Sequence, residues 1–129
     1  VTQVVDPSDI LEARRTVREV YVDEAVKAYA IDVVEATRSH EDVEYGASPR
    51  ASLAFLNAGK ARAAIQGREY VIPDDVKALA GPILSHRLIL NTDAELSERQ
   101  TTDVVAEIRD AVEPPAEEAV ATVGESSSE

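Results

Sequence analysis

In Gly46-Ala47-Ser48-Pro49-Arg50-Ala51, a helix-capping serine precedes a proline and an arginine at the head of an alanine-rich run. A helix start carries partial positive charge and unpaired N–H groups, so a cation there is mildly unfavourable, by about 0.3–1 kcal/mol. The same helix end joined to a guanidinium makes a good receiver for a phosphate group. Gly46 and Ala47 are small enough to let a ligand approach the backbone. The competing arrangement pairs Arg50 with Glu41, Asp42 or Glu44 just upstream.

Other chemistry-bearing patterns are incomplete. Val20-Tyr21-Val22-Asp23-Glu24 has the outline of a Walker B strand, in which Asp-Glu holds magnesium and activates water. No phosphate-cradling loop accompanies it: Gly59-Lys60 is followed by Ala61, with Ala54 where the first glycine belongs. A helix junction capped by Asp23 accounts for the pattern better. His40-Glu41 begins like a zinc-binding helix pair, yet position 44 is Glu rather than His. Glu41, Asp42 and Glu44 could hold a cation weakly, but a solvated loop is the simpler expectation. With two histidines, no cysteine and no Gly-x-Ser-x-Gly turn, the chain shows no self-contained catalytic site and no metal centre.

These residues need helices to hold them. The first helix is expected to start near Pro7, capped by Asp6 or Ser8, with Ile10, Leu11, Arg14, Val17 and Val20 at helical spacing. A second, capped by Asp23, carries the stripe Val26, Tyr29, Ala30, Val33, Val34 and Thr37. Ser39 to Ala47 reads as a polar loop. Ser48-Pro49 opens a third helix to about Gln66, stopped by Gly67 and apolar on most faces, hence central. Its exposed side is basic through Lys60, Arg62 and Arg68, as a contact surface or a solvated face. Tyr70-Val71-Ile72 is extended. A fourth helix runs from Pro73 or Asp74 to about His86, broken or kinked at Gly81-Pro82, and Arg87 closes its C-terminal end. Leu88-Ile89-Leu90 is a second extended piece, expected to pair with Tyr70 to Ile72. After a loop over Asn91 to Gln100, a last helix spans Thr101 or Thr102 to Val112. The fold class is all-α, a small bundle of about five helices over residues 1–112, with an acidic, disordered tail at 113–129.

Composition bounds the rest. The 129 residues carry 25 acidic and 13 basic side chains, net −12, with 44% apolar and 4% aromatic residues, so one aliphatic core is expected. Such a charge argues against nucleic-acid partners, and no stretch is long and apolar enough for a membrane helix. The charge is uneven: residues 46–92 are net +3 inside an otherwise acidic chain. Three of the 13 bases are lysine, a bias that suits a salt-rich cytoplasm. The chain starts at Val1 and holds no methionine, as expected of a piece of a longer protein.

The order Gly46 to Ala51, the alanine-rich helix to Gly67-Arg68, Tyr70-Val71-Ile72-Pro73-Asp74-Asp75-Val76-Lys77-Ala78-Leu79-Ala80 and His86-Arg87 resembles the C-terminal lid of MoxR-type AAA+ ATPases. The resemblance reaches upstream through Val20-Tyr21-Val22 and Ala36-Thr37-Arg38, covering roughly residues 8–90; magnesium-chelatase ATPase subunits carry related lids. It implies that Ser48-Pro49-Arg50 is the sensor-2 motif and that Arg50 reaches the terminal phosphates of ATP. By the same resemblance Mg2+ and the nucleotide are held mainly by an AAA+ core domain of the same chain, in a homo-oligomeric, hexameric ring. It further implies partners with von Willebrand factor A domains, and a chaperone-like role in complex maturation. The fragment itself lacks the parts for hydrolysis. The contrasting expectation is a non-catalytic helical interaction module whose acidic surface docks a basic partner.

Overall fold

The computed structural model describes residues 17 and 19–116, so all of the expected first helix but Val17, Glu19 and Val20, and the tail from 117, lie outside the described residues. Among the described residues, five helices and two short strands follow one another from Glu24: α1 (Glu24–Ser39), β1 (Val43–Tyr45), α2 (Ala51–Ile65), α3 (Pro73–Leu84), β2 (Ile89–Leu90), α4 (Thr92–Leu96) and α5 (Thr101–Ala111). The fold is mostly helical, with a minor two-stranded sheet.

Helix α1 starts where Asp23 accepts a hydrogen bond from the Ala25 N–H at 2.9 Å, so the Walker-like outline is a capped helix junction. Its buried residues are Val26, Tyr29, Ala30, Val33, Val34 and Thr37, the stripe that 3.6-residue periodicity requires. The alanine-rich α2 behaves differently from its sequence expectation. Only Ala51, Phe55, Gly59 and Ala63 are buried, a single line spaced by four, while Leu53 and Ile65 stand in solvent. The small residues on this line let neighbours come close: a Cβ on Gly59 would sit 3.2 Å from Val71 Cγ1. The helix ends at Gly67, whose φ of +75° is the left-handed conformation a glycine adopts without penalty.

Pro73 opens α3, and Pro82 lies inside its last turn without ending it. Because α3 runs on only to Leu84, the proline removes one late backbone bond rather than breaking the helix. Two other expectations need correction. Leu88 to Leu90 does not pair with Tyr70 to Ile72; Ile89–Leu90 pairs antiparallel with Val43–Tyr45, inside the stretch read as a polar loop. Tyr70 instead bridges Tyr21 in parallel, with the Tyr21 N–H donating to Glu69 O and the Val71 N–H to Tyr21 O. Within the expected loop from Asn91 to Gln100, Asn91 caps the short α4 by accepting from the Ala94 N–H at 2.9 Å.

The core is aliphatic apart from Phe55 and Tyr29. It lies among α1, α2, α3 and α5, with Val104, Val105 and Ile108 closing it from the C-terminal side. No described helix is long and apolar enough to cross a membrane.

Candidate functional site

Arg50 stands immediately before the first residue of α2, with φ −63° and ψ −21°, already helical. Ser48, Pro49 and Arg50 are all exposed. The Ser48 hydroxyl accepts from the Arg50 N–H at 3.1 Å, so serine caps the turn as its type and position required. The N–H groups of Ala51, Ser52 and Leu53 bond back to the carbonyls of Ser48, Pro49 and Arg50 at 2.9, 3.1 and 3.0 Å. The Ser52 hydroxyl donates to Pro49 O at 2.7 Å. The backbone donors of this helix end are therefore used within the turn. The group left to meet an anion is the Arg50 guanidinium, which makes no ion pair among the described residues. Pairing of Arg50 with Glu41, Asp42 or Glu44 is not what the structure shows.

Gly46 and Ala47 also serve otherwise than expected. A Cβ on Gly46 would lie 2.6 Å from Arg38 Cγ and 2.8 Å from Arg38 Cα and N. Its missing side chain makes room for α1, not for a ligand. Ala47 is buried, and its N–H donates to Thr37 Oγ1 at 2.9 Å.

Around the turn from α1 to β1, four side chains form one network. The Asp42 N–H donates to His40 Nδ1 at 3.0 Å, which assigns the proton to Nε2, facing Glu107 Oε1 at 3.0 Å. Arg99 reaches Asp42 Oδ2 through Nε at 3.2 Å and Glu107 through Nη2. The Arg99 and His40 hydrogen bonds hold the Glu107 carboxyl below its ordinary pKa. Ligand atoms of His40, Asp42 and Glu107 lie within 4.8 Å of one another, but a guanidinium already bridges the two carboxylates. Of Glu41, Asp42 and Glu44, weighed as a weak cation site against a solvated loop, only Asp42 takes part, and the cation is an arginine.

Arg62 of α2 and Arg68 just beyond its end are likewise committed. Arg62 donates to Asp75 Oδ1 at 2.7 Å, and Arg68 donates to Oδ2 at 2.8 Å and Oδ1 at 2.6 Å. The Ile72 N–H adds a bond to Oδ2 at 2.9 Å. Burial pushes the Asp75 carboxyl up; the bonds from Arg68, Ile72 N–H and Arg62 outweigh it and leave the pKa below its ordinary value. Arg62 and Arg68 thus clamp α2 to α3, and only Lys60 of the expected basic face remains outside this cluster. Arg87 donates to Ile83 O at 2.5 Å, closing the end of α3 as its position predicts. Sequence reasoning missed the Asp75 cluster and the partner of Thr37. The signal for Thr37 was present: a hydroxyl inside an apolar stripe must find a hydrogen bond.

Residues 35–108 match the model of the AAA lid domain. The chain belongs to that family. This lid is related to those of MoxR-family AAA+ ATPases: it is 35% identical to Chaperone MoxR1 of Mycobacterium tuberculosis, over 96% of the chain and 35% of that protein. It is 38% identical to the uncharacterized protein YeaC of Bacillus subtilis, over 87% of the chain and 35% of that protein. A solved structure of a candidate ATPase from Cytophaga hutchinsonii superposes with a TM-score of 0.78 at 33% identity, covering 84% of the chain and 36% of its own length. The lid spans about a third of the length of these relatives.

Proposed function

We propose that this lid supplies the sensor-2 arginine, Arg50, to the ATP site of a MoxR-like AAA+ ATPase. The observation that carries the reading is the state of Arg50: an exposed guanidinium on a rigid helix start, with its N–H capped by Ser48 and no ion pair among the described residues. Ser48 and Pro49 set the turn, and Arg50 contacts the terminal phosphates. Phosphoryl transfer depends on positioning and charge stabilisation, both of which a guanidinium offers. The core domain of the same chain holds Mg2+ and most of the nucleotide.

Because Arg50 is fixed to α2, and α2 to α1 and α3, a pull on the guanidinium moves the lid as a body. Nucleotide state would thereby become domain movement in a hexameric ring. The groove beside the chain's entry, lined by Tyr21, Leu53, Leu56 and Lys60 among others, is the face we assign to the core. Chaperone MoxR1 is the relative whose name supports a chaperone-like role in complex assembly, with von Willebrand factor A domain proteins as partners. The acidic, lysine-poor composition leads us to place the parent in a salt-rich cytoplasm. Binding tests the assignment. In the full-length protein, Arg50→Ala should weaken a non-hydrolysable ATP analogue while leaving ADP affinity unchanged, because only the former presents the terminal phosphate. Equal affinities for both nucleotides in variant and wild type would return the chain to the interaction-module reading.

A further inference from the structure

The turn that presents Arg50 is closed by bonds to the third residue back, so its own geometry leaves it dependent on what anchors it upstream. That anchor is a single side chain on another helix. Thr37 is fully buried in α1; its hydroxyl donates to Val34 O at 2.6 Å and accepts from the Ala47 N–H at 2.9 Å. Ala47 is itself buried, so no water can replace the threonine as acceptor. One residue before it, Gly46 lies against the Arg38 backbone so closely that no Cβ fits. One residue after it, Ser48 caps the Arg50 N–H. The path from Thr37 Oγ1 to Arg50 therefore runs through two hydrogen bonds and two residues, Ala47 and Ser48.

We propose that Thr37 is a positioning residue for Arg50, its hydroxyl fastening the sensor turn to the C-terminal end of α1 so that the guanidinium meets the terminal phosphate in register. The inference rests on the sensor reading of Arg50. A hydroxyl was not needed to fill this place, since valine has the same shape; it was needed for the Ala47 N–H. Loss of the anchor frees the turn by a fraction of its length while the body of α2 stays packed through Phe55, Gly59 and Ala63.

Steady-state ATP turnover of the full-length protein decides the matter, measured for Thr37→Val, Thr37→Ser, Arg50→Ala and the double variant T37V/R50A. Misplacing a charge-stabilising group by about 1 Å costs on the order of 100-fold, so Thr37→Val should lower kcat by about 10–100-fold with little change in KM. Thr37→Ser should restore turnover, and T37V/R50A should be no slower than Arg50→Ala alone. Gly46→Ala reaches the same turn by a different route, pushing on Arg38 with the threonine intact, and should also lower kcat. Full turnover in Thr37→Val beside a dead Arg50→Ala overturns the positioning role and leaves the sensor reading standing. An equal loss from Thr37→Val with and without Arg50 overturns it too, because the hydroxyl then serves the fold alone. Normal turnover in Arg50→Ala removes the sensor reading instead. Amide hydrogen exchange at Ala47 and Arg50 reads the anchor separately: unchanged exchange in Thr37→Val contradicts it.

Discussion

Asp75 has no solvent exposure, and two guanidiniums and a backbone N–H share its four hydrogen bonds. Removing one partner of a buried ion pair strands the others, so Asp75→Ala should cost about 3–5 kcal/mol, read from urea unfolding. The sign of its pH dependence follows from the direction of its shift. A carboxyl depressed in the folded state contributes fully above its ordinary value of 3.8, and that contribution is lost as pH falls through the lower folded value. The stability gap between wild type and Asp75→Ala should therefore shrink on acidification below that value; a constant gap would mean the carboxylate is not what the clamp uses. Tyr29 is the opposite case. Its hydroxyl is buried with no hydrogen-bond partner among the described residues, and burial, then Asp74, push its pKa up while Arg109 opposes. Tyr29→Phe should be neutral or stabilising by up to about 1 kcal/mol, since it deletes an unsatisfied group. A clear loss of stability in thermal melts would show that the hydroxyl has a partner. Arg62 and Arg68 read as surface charges because their shared acceptor looks, in sequence, like an ordinary acid of a helix's first turn.

Elements with a long period were legible, and short ones were not. The α1 stripe and the Asp23 cap follow from spacing and residue type over sixteen residues. Helix α2 was legible in its span but not in its burial, because alanine is apolar enough to suit either side of a helix. Strand β2 has two residues, too few for alternation to name a partner, and its pairing with β1 is set by tertiary contacts. One feature of this scale can be measured cleanly. Among the described residues, no atom outside its immediate chain neighbours lies within 4 Å of a Cβ added at Gly67, so Gly67→Ala tests conformation alone. It should cost about 1–2 kcal/mol for the left-handed backbone, and a substitution without effect would show that α2 does not need this stop.

For the molecule as a whole, a net charge of −12 on 129 residues is a self-repulsion that salt screens. Raising potassium chloride from about 0.1 to about 1 M should increase the midpoint of thermal unfolding, as screening tightens from about 10 to about 3 Å. A flat response would remove the salt-rich setting from the account. The candidate site was legible in the sequence as far as the serine cap and the arginine; the Thr37 hydroxyl announced a hydrogen bond without naming its partner, and the approach of Gly46 to Arg38 was not legible because it depends on how the chain folds back after α1. The proposed function of the lid rests on one side chain. Arg50→Ala, made in the full-length protein and in this domain alone, should lower ATP turnover by about 1,000-fold or more with the melting temperature of the isolated domain unchanged; turnover at the wild-type rate would contradict the account.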